Sequence, residues 1–268
     1  MPETPSIVTN DAFLGGRIEI LQPKRGYRAG LDAVLLAAAV EERGGREATV
    51  LDAGAGVGVA GLAVARRLES ARVTLVERDQ EMARLARDNI DRNGLSERCS
   101  VVEGDVSLGG VYVNSAVSAS LGITPGRFTH VIANPPFHES GKGTVSATPY
   151  KARAHQMRPG LLERWVAFMA TAAVTGGELL LVHRAAALGD VLSALDGRFG
   201  DVAVLPVHTK PTAAATRILV RARKASRAPL RLFPPLVVHD TRGAFTPQLD
   251  AILRHGASLA DAAPELNI

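Results

Sequence analysis

The chain has 268 residues, 46% of them hydrophobic and 22% charged, with one cysteine. That balance excludes a mostly disordered chain. The longest apolar run, Leu31 to Val40, contains Asp32 and is too short to span a membrane, and the lone Cys99 excludes a disulfide framework or a cysteine-rich zinc site. The formal charge of +4 divides unevenly: residues 1–140 carry net −3 and residues 141–268 net +7. A basic half fits a polyanionic partner, or simply a solvated surface. Met1-Pro-Glu-Thr-Pro-Ser has neither a basic nor an apolar leader region, so no secretory signal is expected and the expected location is cytoplasmic.

From residue 47 onward, short apolar runs alternate with amphipathic stretches. Strands are expected at Glu47–Leu51, Arg72–Val76, Ser100–Glu103 and Phe128–Ala133. Helices are expected at Gly58–Leu68 and at Glu81–Asn93, the latter stopped by Gly94. Leu161–Val174 reads as a helix and Thr175-Gly-Gly as a turn into a fifth strand, Glu178–His183. A helix over Ala185–Leu195 follows, then strands Val202–Val207 and Thr216–Arg223 as a hairpin. Such alternation implies an α/β fold with a parallel sheet and helices on both faces, with ligands at the carboxyl ends of the central strands. Ser107–Arg127 reads as a loop or a poor helix, and the last 40 residues as an appendage.

The first strand runs into Asp52-Ala53-Gly54-Ala55-Gly56-Val57-Gly58. Glycines let the backbone turn sharply and approach a ligand, and the following helix offers unpaired N–H groups. Gly56-x-Gly58-x-x-Gly61 matches the dinucleotide fingerprint, but its register is wrong. Asp52 and Gly54 precede it, and an acid there would repel a pyrophosphate while suiting a ligand with an amino acid or cationic part. The second strand ends near Glu77, which could accept two ribose hydroxyls, unless Glu77, Arg78 and Asp79 only cap the next helix. The third ends in Gly104-Asp105.

The fourth strand ends in Asn134-Pro135-Pro136-Phe137. Two prolines stop the strand, remove two N–H donors and free their carbonyls toward a cleft. Asn134 adds an amide oxygen and Phe137 a flat apolar face. The set suits a planar group bearing an amine, edge on the oxygens and face on the ring. His130, His138 and His183 read as surface or packing residues. The seven histidines show no ligand spacing, so no metal is expected.

Asp52-x-Gly54-x-Gly56 resembles the first motif of class I S-adenosylmethionine (SAM) methyltransferases. Asn134-Pro-Pro-Phe137 resembles the catalytic motif of methyltransferases for planar nitrogens. Asp11-Ala-Phe-Leu-Gly-Gly-Arg17 through Gln22, Arg28, Gly30 and Asp32, with Gly177-Glu-Leu-Leu-Leu-Val-His-Arg184 and Ala215-Thr-Arg217, is similar to bacterial tRNA(Val) adenine-N6-methyltransferases. The resemblance covers residues 11 to about 255. It implies a Rossmann-like, seven-stranded, mostly parallel sheet with the last strand antiparallel. It divides the chain into a cofactor-covering segment (1–46), a SAM-dependent domain (47–228) and an extension of that domain (229–268).

SAM is the implied cofactor and RNA, in particular tRNA near the anticodon, the implied partner. Arg28, Gly30, Asp52, Gly54, Ala55, Gly56, Glu77, Arg78, Asp105, Val106 and Asn134 are the expected cofactor residues. Asn134, Pro135, Pro136 and Phe137 are the expected catalytic set. Lys142, Lys151, Arg153 and Arg158 would rim the cleft against RNA phosphates. Arg217, Arg221 and Arg223 share one face of the last strand and read as phosphate contacts or as charges on an exposed edge strand. Three alternatives stay open: an rRNA guanine-N2 enzyme, a protein glutamine-N5 enzyme, and a SAM-fold RNA-binding protein without turnover.

Overall fold

The computed structural model describes residues 8–25, 28–42, 47–108, 123–136, 160–266 and 268. The chain opens with an antiparallel hairpin, β1 (Val8–Phe13) and β2 (Ile18–Pro23), followed by helix α1 (Leu31–Ala38). The main sheet then builds from β3 (Thr49–Ala53), β4 (Arg72–Glu77), β5 (Cys99–Glu103), β6 (Phe128–Ala133), β7 (Ala173–Arg184), β8 (Phe199–His208) and β9 (Ala215–Lys224). Their order is β5-β4-β3-β6-β7-β9-β8. β9 is antiparallel to both neighbours and the other neighbouring pairs of these strands are parallel, so the expected sheet is the observed one. Two short strands, β10 (Arg231–Leu232) and β11 (Leu236–Val237), add to β8.

Helices cover both faces. α2 (Val59–Arg67) and α3 (Gln80–Arg92) join α1 and the hairpin on one side. α4 (Leu161–Ala172) and α5 (Leu188–Leu195) form the core of the other. Strands buried on both faces read as continuous apolar runs, as Leu179–Val182 do. α3 starts where the Asp79 side chain accepts from the Glu81 and Met82 N–H groups, and its stripe of Met82, Leu85, Ala86 and Ile90 is buried. In the C-terminal segment, α6 (Pro247–His255) and α7 (Leu259–Ala262) pack Leu249, Ile252 and Leu259 into the same core as α1 and the hairpin.

Two expectations are corrected. Thr175-Gly-Gly is not a turn between helix and strand: β7 already begins at Ala173, and its register against β6 shifts between Phe128↔Ala173 and His130↔Glu178. The arginines of β9 are neither a free phosphate stripe nor an exposed edge, because β9 lies between β7 and β8. Arg221 is buried and pairs with Glu178 (3.1 Å) and Asp201 (3.3 Å). Arg223 also meets Glu178, and Arg217 pairs with Asp32 of α1 at 3.0 Å.

Candidate active site

At the carboxyl ends of β3 and β6 lies a cleft open to solvent. Gln22, Ala29, Asp52, Gly54, Gly56 and Asn134 line it, with Met82 of α3. The glycine loop, the end of β6 and the N-terminal segment therefore meet in one place. Phe137, His138, Lys142, Lys151, Arg153 and Arg158, and the 109–122 part of the loop expected after β5, lie outside the described residues.

The loop is shaped by three glycines with left-handed backbones, Gly54, Gly56 and Gly58. Gly54 (φ +67°) sits under the Trp165 indole of α4: a Cβ there would fall 2.2 Å from its ring. Gly56 (φ +57°) is open, since a Cβ would meet nothing within 4 Å, and this bare backbone faces the cleft. The Ala55 N–H donates to the Val76 carbonyl at 3.0 Å, which pins the loop to β4.

The two central acids are held differently. Asp52 is 3% exposed, and its Oδ2 accepts from the Gly61 N–H of α2 at 2.9 Å. Burial pushes its carboxyl up to about 7, opposed by the Gly61 bond and reinforced by the Glu77 charge. Glu77 accepts the Gly56 N–H on Oε2 and the Asp79 N–H on Oε1, both at 2.8 Å. Burial raises its carboxyl too, against those bonds. The Arg78 N–H is a third donor to this carboxylate, which keeps acceptor capacity for a ribose hydroxyl. Further along, Asp105 is partly desolvated, but Ser107 bonds to Oδ1 (2.8 and 2.6 Å) and Arg78 at 3.4 Å hold its carboxyl below the ordinary value. Val106 beside it is buried.

The N-terminal residues divide. Gly30 starts α1, its carbonyl accepting from Ala33 and Val34. Arg28 turns to the hairpin, donating to Thr9 Oγ1 (2.7 Å), the Pro23 carbonyl (3.0 Å) and Asp11 Oδ2 (2.7 Å). It is Gln22 that lines the cleft, buried, with Nε2 on Asp11 and Oε1 accepting the Ala29 N–H.

Asn89 of α3 is a second residue the sequence reading passed over. Its amide accepts the Leu21 N–H (2.7 Å) and donates to the Leu21 carbonyl (3.0 Å), and also to the Val57 carbonyl of the glycine loop (3.0 Å). One turn on, Asn93 pairs in the same way with the N–H and carbonyl of Glu19. Residues i and i+4 of a helix thus pair with residues i and i+2 of β2 as a partner strand would. The signal was Asn89-x-x-x-Asn93 on a helix face, with nothing in the sequence to say what it meets. Trp165, whose ring lies over Gly54, is a third such residue.

A family model described as the methyltransferase small domain matches residues 30–210. The chain belongs to that family. It is a SAM-dependent methyltransferase. A Porphyromonas gingivalis protein named tRNA1(Val) (adenine(37)-N6)-methyltransferase is 29% identical over 243 residues, 89% of this chain and 91% of that protein. The crystal structure of a predicted O-methyltransferase from Agrobacterium tumefaciens superposes with TM-score 0.70 at 36% identity, covering 85% of this chain and 97% of that one. A T. thermophilus 16S rRNA N2 G1207 methyltransferase shares the fold at TM-score 0.54 and 22% identity, over 83% of this chain and 52% of its own.

The cleft of this methyltransferase fits SAM in its own chemistry. Gly56 offers bare backbone on the open side, the Val57 and Met82 side chains offer apolar contact, and Glu77, bonded to Gly56 though not itself among the lining residues, would offer acceptors for hydroxyls.

Proposed function

We propose that this chain is an N-methyltransferase acting on the exocyclic N6 amine of an adenosine in RNA, with tRNA near the anticodon as substrate. The observation that carries the reading is the position of Asn134. It follows the last residue of β6, lines the same cleft as the glycine loop, and is followed by Pro135 and Pro136. The name of the P. gingivalis relative agrees with it.

SAM, when bound, would supply an electrophilic methyl group, its S–CH3 bond breaking as the new bond forms and the neutral thioether S-adenosylhomocysteine leaving. The chain's part is to present a poor nucleophile correctly. An exocyclic amine has its lone pair delocalised into the ring. Asn134 Oδ1 and the Pro135 carbonyl accept its two hydrogens and favour the pyramidal nitrogen that attacks. As the N–C bond forms, the excess proton passes to solvent. Positioning and fixed dipoles therefore supply most of the rate, and no strong base is needed. An alcohol acceptor would need one. Among the described residues lining the cleft, Asp52 is the one ionisable group, and its Oδ2 is committed to Gly61.

In this proposal Phe137 stacks on the extruded base, Lys142, Lys151, Arg153 and Arg158 meet phosphates, and residues 1–46 cover the cofactor. The location is the cytoplasm, where tRNA is modified. Among the described residues no helix is long and apolar enough to cross a membrane.

The test is to incubate the protein with labelled SAM and separate pools of tRNA, rRNA and protein, then identify the labelled product. N6-methyladenosine in tRNA is expected. Label found only as N2-methylguanosine, as methylglutamine or on oxygen overturns the reading. Asn134→Ala should retain SAM binding and lose about 10²–10³ in kcat, as removal of one preorganised electrostatic partner does.

A further inference from the structure

Antiparallel β7 and β9 place Arg184 directly opposite Arg217 at the cleft end of the sheet. Like charges across a strand pair are unfavourable. Arg217 is balanced, since its Nε donates to Asp32 Oδ2 at 3.0 Å. Arg184 is not. Its Nε is buried without a hydrogen-bond partner, and no ion pair among the described residues includes it. Sheet stability gives no reason for a second guanidinium there.

Its placement does. Parallel β6 and β7 set Ala133 beside Leu181, so Asn134 comes level with Val182. Arg184 lies two residues further out on that neighbouring strand, and side chains two apart share a face. The cross-strand register gives Arg217 the same face, where Asp32 of α1 meets it. Asn134, Arg184 and Arg217 thus stand on one face at one end of the sheet.

We propose that Arg184, flanked by Arg217, binds a phosphodiester oxygen of the RNA strand beside the base held at Asn134. This rests on the RNA reading above. A planar guanidinium with several donors matches phosphate oxygens bidentately. A nucleotide unstacked into the cleft carries its own phosphates to the rim, one strand over from the amide that holds its amine. Lys210, exposed in the turn between β8 and β9, extends the positive rim.

Arg184→Gln and Arg184→Lys are compared with the wild type. RNA affinity is read by anisotropy with unmethylated tRNA between 50 and 200 mM salt, and cofactor affinity by calorimetry with S-adenosylhomocysteine and with SAM. Arg184→Gln should bind RNA about tenfold more weakly and lower the slope of log K against log salt by about one. Both cofactor affinities should be unchanged, which also reports that the variant is folded. Arg184→Lys should restore the slope and part of the affinity. If wild type methylates RNA and Arg184→Gln matches its affinity and slope, the phosphate site is wrong and the RNA reading stands. A loss of SAM and S-adenosylhomocysteine affinity alike, with RNA affinity unchanged, would assign Arg184 to the carboxylate that the two share and overturn the site. A wild-type protein that neither binds nor methylates RNA overturns both.

Discussion

Asp52 and Glu77 stand on neighbouring strands, and each is tied to the backbone of the glycine loop or the helix after it. Their different geometry separates their roles. Glu77 accepts the Gly56 N–H on one oxygen and the Asp79 N–H on the other, with the Arg78 N–H as a third donor, and a ribose hydroxyl would use the acceptor capacity left on its oxygens. Glu77→Ala removes that capacity, and SAM binding should weaken by roughly 1.5–3 kcal/mol, the range for bonds to charged groups. Calorimetry checks this, and unchanged affinity in a folded variant would remove Glu77 from the site. Asp52 serves the fold. Its carboxyl titrates at about 7 when folded, from burial, and near the ordinary 3.8 when not. The folded state therefore holds the proton more tightly. Asp52's contribution to stability is complete below pH ~4 and is lost as pH rises to about 7. Asp52→Asn keeps an acceptor for the Gly61 N–H and cannot ionise. Its Tm relative to wild type should climb between pH 4 and 7 and then level off. A constant difference across that range would contradict the burial of the charge.

At the scale of elements, the N-terminal hairpin is bound to the molecule by side-chain amides of α3. Asn89 is fully buried and serves both β2 and the loop at Val57. Asn89→Ala strands the Leu21 N–H and two carbonyls. The expected loss is roughly 3 kcal/mol of stability, with weaker SAM binding because Val57 is released. Asn93, nearer the surface, serves Glu19, and its alanine variant should cost about 1 kcal/mol and leave SAM affinity unchanged. Thermal scans and calorimetry compare them, and equal effects would argue against the bridge to the loop. This clamp marks the limit of what the sequence discloses. The glycine loop, Glu77, Asp105 and Asn134 were legible because each sits at the end of an apolar run, where a parallel sheet gathers its ligand contacts. Gln22, Asn89 and Trp165 were not. They reach the site from elements far apart in the chain: Leu21 and Asn89 are 68 positions apart. β1, with its exposed Asn10 and half-buried Asp11, has no apolar alternation strong enough to declare a strand.

Across the whole molecule, strand order decided what the arginines of β9 do. Chain order made β9 the last strand and suggested an edge. Insertion between β7 and β8 buries it and turns Arg221 into the hub of an ionic network at the end of the sheet away from the cleft. Glu178 meets Arg221, Arg223 and, at 3.8 Å, His130, while Asp201 meets Arg221 and Arg231. Glu178 lies six residues before Arg184 on β7, about 20 Å at the ordinary strand rise. Removing one partner of a buried pair leaves the other desolvated and uncompensated, typically at about 3–5 kcal/mol. Glu178→Gln should therefore lower Tm by roughly 10 °C in a chain of this size. Glu178→Leu combined with Arg221→Met removes both charges, so the double variant should be more stable than Glu178→Gln alone. SAM affinity, measured well below either Tm, should match wild type in both. A double variant less stable than the single would show that the remaining charges, not the Glu178–Arg221 pair, hold this end of the sheet together.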